Sequence, residues 1–244
     1  MEQIFKGRVV NAGSLLFFSE ERQADRQNDI LDSMLYIQLA ASKKHERFND
    51  FEGWKELWLA AALRFGWALK ASEHISEPLV AGTLNTVWNL AAQAFSASVS
   101  NSALTRVEAL MRLANTQPSA QLAIKLLASQ AMHVEDSPAV SPDPSCRARA
   151  GKSTLAFQLG FAAADNTLDI ALVHFKTRQT LTDDFLFEPL DPGQICGNVE
   201  VTLYSMHLMA QVYAPFREVF HTALRKQDPA LVMSVEEVDH VDQA

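Results

Sequence analysis

The stretch STLAFQLGFAA, residues Ser153–Ala163, decides the fold class because large and small side chains alternate along it. From Leu155 to Phe161 every second residue is leucine or phenylalanine, and the residues between them are alanine, glutamine and glycine. Alternation with a period of two predicts a β-strand with one strongly apolar face. The stretch therefore predicts the first strand of a β-sheet.

Three segments downstream of this stretch are further strand candidates. They are Asp169–Thr177, Asp184–Glu188 and Asn198–Tyr213. The Asp, Asn, Pro and Gly residues between them are typical of turns that join antiparallel strands. A short helix over Phe216–Lys226 follows the last candidate. We therefore expect an antiparallel sheet of about four long strands, ending in a short closing helix.

The chain upstream of Ser153 has a helical period instead. Apolar residues recur every three or four positions in Asp29–Ala41 and in Phe51–His74, which predicts two helices. The run Ser76–Pro78 is typical of a helix start, with a capping hydroxyl ahead of an early proline. Further helices would carry the chain to about His133. We expect these helices to pack on the sheet through one shared core.

These patterns predict a single α+β domain over residues 1–244, with N-terminal helices packed on a C-terminal antiparallel sheet. The helical part covers about 25–135, and the sheet part covers about 153–227. A segment rich in proline and serine, about 136–152, would be a linker between them. Residues 228–244 contain five acidic residues and no Lys or Arg, which predicts a solvated tail.

A gap in the charges is the most informative feature outside the sheet. No Asp, Glu, Lys or Arg occurs in Pro78–Thr105, the uncharged segment, although these residues make up 20% of the chain. Burial selects against charge, because an unpaired ion in an apolar site costs several kcal/mol. We therefore expect this segment to be buried within the protein, in a partner or, conditionally, in a membrane. For the membrane alternative the expected contact residues are Trp88, Phe95 and Val99.

The overall charge excludes one class of partner. The chain has a net charge of −8 at pH 7 and a pI near 5.4, whereas nucleic-acid binding requires clustered Lys and Arg. The sequence contains neither a secretory signal nor an apolar run of transmembrane length. We expect synthesis as a soluble cytoplasmic protein and, if it acts elsewhere, release by a non-classical route.

No group of residues in the sequence matches a catalytic or metal-binding motif. AGKST, Ala150–Thr154, matches only the end of a phosphate-binding loop, because Cys146 stands where that motif needs another glycine. The histidines lack zinc-ligand spacing, although His174 and His207 could face each other across two strands. We therefore expect no catalytic residue, no metal and no cofactor, and we lean against an enzyme.

Cys196 is the one residue with two chemical interpretations. It lies in the turn Pro192–Gly197, directly before the longest strand candidate. A free cysteine is commonly buried as a small apolar residue, which predicts an inert thiol. The alternative is a thiol that is reactive or carries an acyl chain.

The order of the elements resembles that of the Cyt-type cytolytic δ-endotoxins. The matching elements are the helix Asp29–Ala41, the helices of Pro78–His133, the strands Ser153–Ala163 and Asn198–Tyr213, and the helix Phe216–Lys226. The resemblance is one of layout over most of the chain, and the linker and the helical Phe51–His74 depart from it. It implies an α+β protein that permeabilises membranes by refolding and assembling, without catalysis. A weaker resemblance, to palmitoylated enterobacterial virulence factors, implies an acyl chain on Cys196.

Two classes of function follow from these observations. The first is a non-enzymatic bacterial factor that acts on membranes or on a host, in the manner of a toxin or virulence protein. The second is an intracellular protein-interaction module that buries the uncharged segment internally. An acylated virulence factor using Cys196 and an enzyme of unrecognised geometry are further alternatives. The expected partners are a lipid membrane and other copies of the chain, and not nucleic acid.

Overall fold

The computed structural model describes residues 4–19, 24–82, 85–134, 153–224 and 229–235. Within these ranges it contains six α-helices and eight strands, which confirms the α+β class. The strands are β1 Phe5–Asn11, β2 Ser14–Ser19, β3 Trp67–Glu77, β4 Met132–Val134, β5 Ser153–Ala162, β6 Thr167–Thr177, β7 Ile195–Leu208 and β8 Val232–Ser234. The helices are α1 Ala24–Ser42, α2 Phe51–Arg64, α3 Val87–Ala94, α4 Asn101–Thr116, α5 Gln121–Ala131 and α6 Ala210–Leu224.

The strands form one mixed sheet rather than a purely antiparallel one. Their order is β3-β7-β6-β5-β2-β1-β8, and β4 pairs with β5 outside this path. β2 runs parallel to β5, so that Leu15 lies opposite Leu159 and Phe17 opposite Phe161. The other described pairs are antiparallel. The predicted sheet of about four antiparallel strands therefore includes only β5, β6 and β7, and it omits the other five described strands and the one parallel pair.

The alternation along the strands separates two cores on opposite faces of the sheet. Leu155, Phe157 and Leu159 belong to one core, which α3, α4 and α5 cover. Ala156 and Ala162 belong to the other, which α1, α2 and α6 cover. The expectation of one shared core is therefore wrong. Both faces of the central strands are apolar, so each face needs its own helical layer, and we call these the α3–α5 layer and the α1–α2–α6 layer.

The predicted helix Phe51–His74 is correct only as far as Arg64. Gly66 adopts a φ of +98°, a left-handed conformation that ends a helix and that residues with a Cβ rarely adopt. The chain then reverses into β3, and the side chain of Trp67 joins the core of the α1–α2–α6 layer. A strand follows because β7 supplies a pairing partner over the whole length of β3.

The predicted helix start at Ser76–Pro78 is also wrong. β3 continues to Glu77, and α3 begins only at Val87. Thr86 caps α3, because its hydroxyl oxygen accepts a hydrogen bond from the backbone N–H of Asn89 at 3.1 Å. The capping hydroxyl that starts this helix is therefore ten residues further along the chain than the predicted one.

The predicted strand Asp184–Glu188 is a turn within the loop between β6 and β7. This loop contributes five buried side chains to the core of the α3–α5 layer, namely Leu181, Phe185, Leu186, Phe187 and Leu190. The carbonyl of Leu186 accepts a hydrogen bond from the backbone N–H of Trp88 at 2.9 Å, so the loop also holds the first turn of α3. The apolar run that suggested a strand is explained by this burial.

The C-terminal part of the chain departs from the sequence analysis in two further details. β7 ends at Leu208, and Tyr213 lies in α6, the closing helix, which begins at Ala210. Residues 229–235 of the predicted acidic tail include β8, which pairs with β1. The proposed linker, 136–152, and the rest of that tail lie outside the described residues.

Candidate functional site

The uncharged segment has a buried inner side and an exposed outer side. The three predicted membrane-contact residues, Trp88, Phe95 and Val99, all lie on the inner side and are at most 4% exposed. The ring of Phe95 contacts that of Phe161 edge to face, with centroids 4.8 Å apart. The ring of Trp88 lies 5.7 Å from that of Phe187. In this conformation the three residues are therefore part of the core of the α3–α5 layer.

The outer side of the same segment is exposed although it carries no charge. Twelve of its 26 described residues are exposed, so burial within this protein explains the absence of charge over only part of the segment. These exposed residues are mainly small or amide side chains: Pro78, Val80, Ala81, Gly82, Gln93, Ser96, Ala97, Ser98, Ser100, Asn101, Ser102 and Thr105. The uncharged segment thus forms a continuous stretch of chain with an uncharged outer surface.

An apolar groove of about 380 Å³ adjoins this surface. Its floor is made of strand residues whose side chains point to the α3–α5 side of the sheet, and Leu90 and Ala94 of α3 form one wall. The floor residues are Ile75 of β3 and Val199, Val201 and Leu203 of β7. Glu73 and Glu77 also line it, so an acidic rim borders an apolar floor.

A cluster of ionisable side chains lies on the other face of the sheet, under the first turn of α2. Nζ of Lys55 lies 2.7 Å from Oε1 of Glu52. Nδ1 of His174 lies 3.7 Å from Oε2 of Glu200 on the neighbouring strand. The imidazole of His174 stacks on the ring of Phe51 with centroids 4.1 Å apart, which withdraws it from solvent.

The surroundings shift the pKa values of this cluster in opposite directions. Burial, reinforced by the charge of Lys176, lowers the pKa of His174 to about 4. Burial and the adjacent Glu52 carboxylate raise the pKa of Glu200. At neutral pH His174 is therefore a neutral imidazole, because a buried site disfavours its charged form.

The cluster does not have the arrangement of a metal site. In the ranges the structure describes, no group of His, Cys, Asp and Glu side chains is placed to hold a metal ion. His174 and His207 do not face each other: His174 lies opposite Glu200, and His207 lies opposite Thr167 at the far end of the strand pair.

Cys196 is half-buried at the start of β7, opposite Lys176 of β6. Its Sγ donates to the carbonyl oxygen of Gln194 at 3.7 Å. The thiol is thus neither in the core nor fully exposed, and its acylation remains a prediction. Cys146 and the Ala150–Lys152 part of the AGKST run lie outside the described residues, whereas Ser153 and Thr154 begin β5.

The uncharged segment is recognisable in the sequence, whereas the groove and the ionisable cluster are not. Glu73 and His74 were assigned to a helix that ended at His74, so the alternation of residues 73–77 across the two faces of β3 was not recognised. Gly66 was the available signal, because glycine often ends a helix. The proximity of Glu52 to Glu200 results from packing of α2 on the sheet, for which no local pattern exists.

Neither protein families nor curated proteins indicate a function for this chain. No protein-family model matches the sequence, and no curated protein is significantly similar to it. None of the helices in the described part of the chain is both long and apolar enough to cross a bilayer. The uncharged surface and the adjoining groove are the features that bear most directly on function.

Proposed function

We propose that this protein is a non-enzymatic, membrane-active factor that places the outer side of the uncharged segment on a lipid surface. The observation that carries this proposal is the exposure of twelve uncharged residues in a run that core burial does not explain. Charged side chains are costly in a bilayer, at roughly 2.5–3.5 kcal/mol each at the centre of a spanning helix. A surface selected for contact with lipid would therefore lack charge, as this one does.

The proposed contact has two steps. The folded protein first docks through the exposed residues, of which Val80 is the largest apolar one, at 67% exposure. In the second step α3 separates from the sheet, and Trp88, Phe95 and Val99 exchange their core contacts for lipid. Both environments exclude water from the same apolar side chains, so part of the free energy lost on opening is recovered on insertion. Assembly of several copies would complete permeabilisation.

The charge distribution favours zwitterionic over anionic lipid. The protein carries a net charge of −8 at pH 7, and Glu73 and Glu77 lie beside the proposed contact surface. Anionic lipids attract basic segments and repel acidic ones. The target is therefore a phosphatidylcholine-like surface. Such a factor would be made in the bacterial cytoplasm and released by a non-classical route, in the manner of a toxin or virulence protein.

The same surface also supports the second candidate, docking on a host or bacterial protein. An uncharged patch beside an apolar groove is typical of protein-interaction sites as well. The two candidates differ in a measurable way, because only the first requires binding to protein-free vesicles.

Vesicle binding and dye release test the proposal. Purified protein is mixed with phosphatidylcholine vesicles, and the double variant Ser96→Glu/Ser102→Glu places two charges on the uncharged surface. The matched control, Ser119→Glu/Ser129→Glu, places the same charges on exposed positions of the same helical layer outside the segment. We expect the first variant to bind roughly tenfold more weakly and the control to bind like the parent.

Two results would contradict membrane activity. One is a parent protein that neither sediments with phosphatidylcholine vesicles nor releases dye from them. The other is an equal loss of binding in both double variants, which would assign the effect to net charge rather than to the uncharged surface.

A further inference from the structure

β3 is the edge strand of the sheet, and it is uncovered over most of its length. It is the terminal strand in the sheet order, and β7 is its sole partner among the described strands. Every residue from Leu69 to Glu77 is exposed. An edge strand presents unpaired backbone N–H and C=O groups, which makes it a template for the addition of another strand.

The first part of β3 carries a backbone feature that protects an edge. A bulge interrupts the register with β7 between Leu69 and Ala71, and bulges discourage pairing at an edge. From Ala71 to Glu77 the register is regular, with each residue opposite one residue of β7. Over these seven residues every second backbone N–H and C=O points away from β7 and is available to an added strand.

The side chains of this open edge have a defined pattern on the groove side. Glu73, Ile75 and Glu77 alternate along β3 and all line the groove. Their partners on β7 are Leu203, Val201 and Val199. No ion pair involves Glu73 or Glu77 within the described residues. On β3 the carboxylates of Glu73 and Glu77 therefore lie on either side of Ile75, next to the apolar residues of β7 that line the groove.

We propose that β3 binds an extended peptide segment by strand addition, and that the segment has the pattern basic–x–apolar–x–basic. In this arrangement the apolar residue lies opposite Ile75 at the groove, and the basic residues lie opposite Glu73 and Glu77. Backbone hydrogen bonds supply affinity in this mode, and the alternate side chains supply specificity. Opposite charges on paired strand positions favour such a partner.

A second copy of this chain fits the edge less well. Two β3 strands paired antiparallel keep their groove sides on the same face. In a symmetric pair the two strands cross at one residue, the centre of the register. For every centre from residue 72 to residue 77, a glutamate of one copy lies directly or diagonally opposite a glutamate of the other. Like charges in these positions are destabilising. The partner is therefore a different, basic segment.

A synthetic peptide tests this inference without lipid, so its outcome is independent of the membrane proposal. The probe is fluorescein-labelled Thr-Lys-Thr-Val-Thr-Lys-Thr with blocked ends, and the control probe has Glu in place of both Lys. Fluorescence anisotropy measures binding to the full chain, and hydrogen exchange measures protection of the β3 amides. We expect the lysine peptide to bind at least about tenfold more tightly than the glutamate peptide and to protect those amides of residues 71–77 that point away from β7.

Paired variants separate this site from net charge. Glu73→Lys/Glu77→Lys should reverse the preference between the two peptides. Glu56→Lys/Glu218→Lys changes the net charge equally at exposed helical positions and should leave the preference as in the parent. Four results would each overturn the inference: no binding of the lysine peptide, equal binding of both peptides, binding without protection of β3, or the same loss in both double variants.

Discussion

The two helical layers cover opposite faces of one sheet but are attached to it differently. In the α1–α2–α6 layer, the Nε and Nη2 groups of Arg217 donate to the Asp29 carboxylate at 2.7 and 2.6 Å, and Phe220 stacks on Tyr36 with ring centroids 3.9 Å apart. In the α3–α5 layer, α3 has no charged residue and packs Trp88 and Ala91 into the core. The first attachment should depend on pH and salt. The attachment of α3 depends on the removal of apolar side chains from water, and the interior of a lipid bilayer removes them from water as well.

The largest expected effect is in the α3–α5 layer, at the end of the uncharged helix α3. Phe95→Ala removes a fully buried ring that contacts Phe161, and such a truncation costs about 3–5 kcal/mol of unfolding free energy. Urea denaturation measures the loss. Because α3 is then held more weakly, we also expect faster dye release from phosphatidylcholine vesicles.

The matched control for this prediction is Phe220→Ala, a buried ring of the same type in the other layer. It should lower stability by a comparable amount without accelerating dye release. Equal acceleration by both variants would indicate that general destabilisation, rather than release of α3, exposes the lipid-binding surface.

The second effect is a pH dependence confined to the α1–α2–α6 layer. The pKa of His174 is about 4 in the folded protein, compared with about 6.5 for a free histidine side chain, so the unfolded chain binds a proton more readily. The contribution of His174 to the free energy of unfolding is fully present above pH 6.5. It is lost as the pH falls towards 4, and the loss is about 3 kcal/mol at most. Glu52, Lys55, Lys176 and Glu200 surround this group.

Urea denaturation at pH 7 and pH 4.5 checks this prediction with His174→Gln. The variant should lose less stability on acidification than the parent. Glu200 acts in the opposite direction, because its raised pKa favours proton uptake by the folded state as the pH falls. An identical pH dependence in parent and variant would exclude His174 as a source of acid sensitivity.

A smaller effect concerns the ion pair that joins α6 to α1. Asp29→Asn weakens a bidentate contact whose carboxylate is mostly shielded from solvent, and we expect a loss of about 1 kcal/mol. The difference between variant and parent should shrink in 1 M NaCl, since salt screens partly exposed charges. The loss of unfolding free energy caused by Phe95→Ala should be the same in 1 M NaCl as at low salt. Thermal unfolding at low and high salt separates the two layers in this way.

The smallest expected effect is the change in stability caused by Ser96→Glu/Ser102→Glu. Both positions are exposed, and surface substitutions usually change stability by about 0.5 kcal/mol or less. Thermal unfolding checks this value. A much larger loss would mean that the outer side of the uncharged segment lacks charge for structural reasons, which would remove the main support for the membrane proposal.

Local patterns predicted the elements that are specified by their own residues. The alternation from Leu155 to Phe161 identified β5, and the apolar spacing in Asp29–Ala41 identified most of α1. β3 was missed because its exposed residues have no core-facing alternation, and its strand conformation depends on β7, more than 110 residues away. Pairing between distant segments leaves no local pattern in a single sequence.

The second helical layer was missed for a related reason. Along β5 the face towards α1 and α2 carries small residues such as Ala156 and Gly160, which the sequence analysis took for the less apolar side. At Gly160 a Cβ would lie only 2.6 Å from the Leu16 side chain, so this small residue marks close packing rather than exposure to solvent. The absence of charge in Pro78–Thr105 was visible from the sequence, whereas its division into a buried and an exposed side required the fold.

The pairing of β1 with β8 has a consequence for the time course of folding. Val9 lies opposite Ser234, and β2 lies parallel to β5, with Ser14 opposite Gln158. Contacts so distant along the chain form late, because closing long loops costs entropy before the contacts are made. As the chain leaves the ribosome, β2 can pair with β5 only after β5 has been synthesised, and β1 can pair with β8 only later still. The nascent protein therefore keeps an incomplete sheet until Val232–Ser234 have been synthesised.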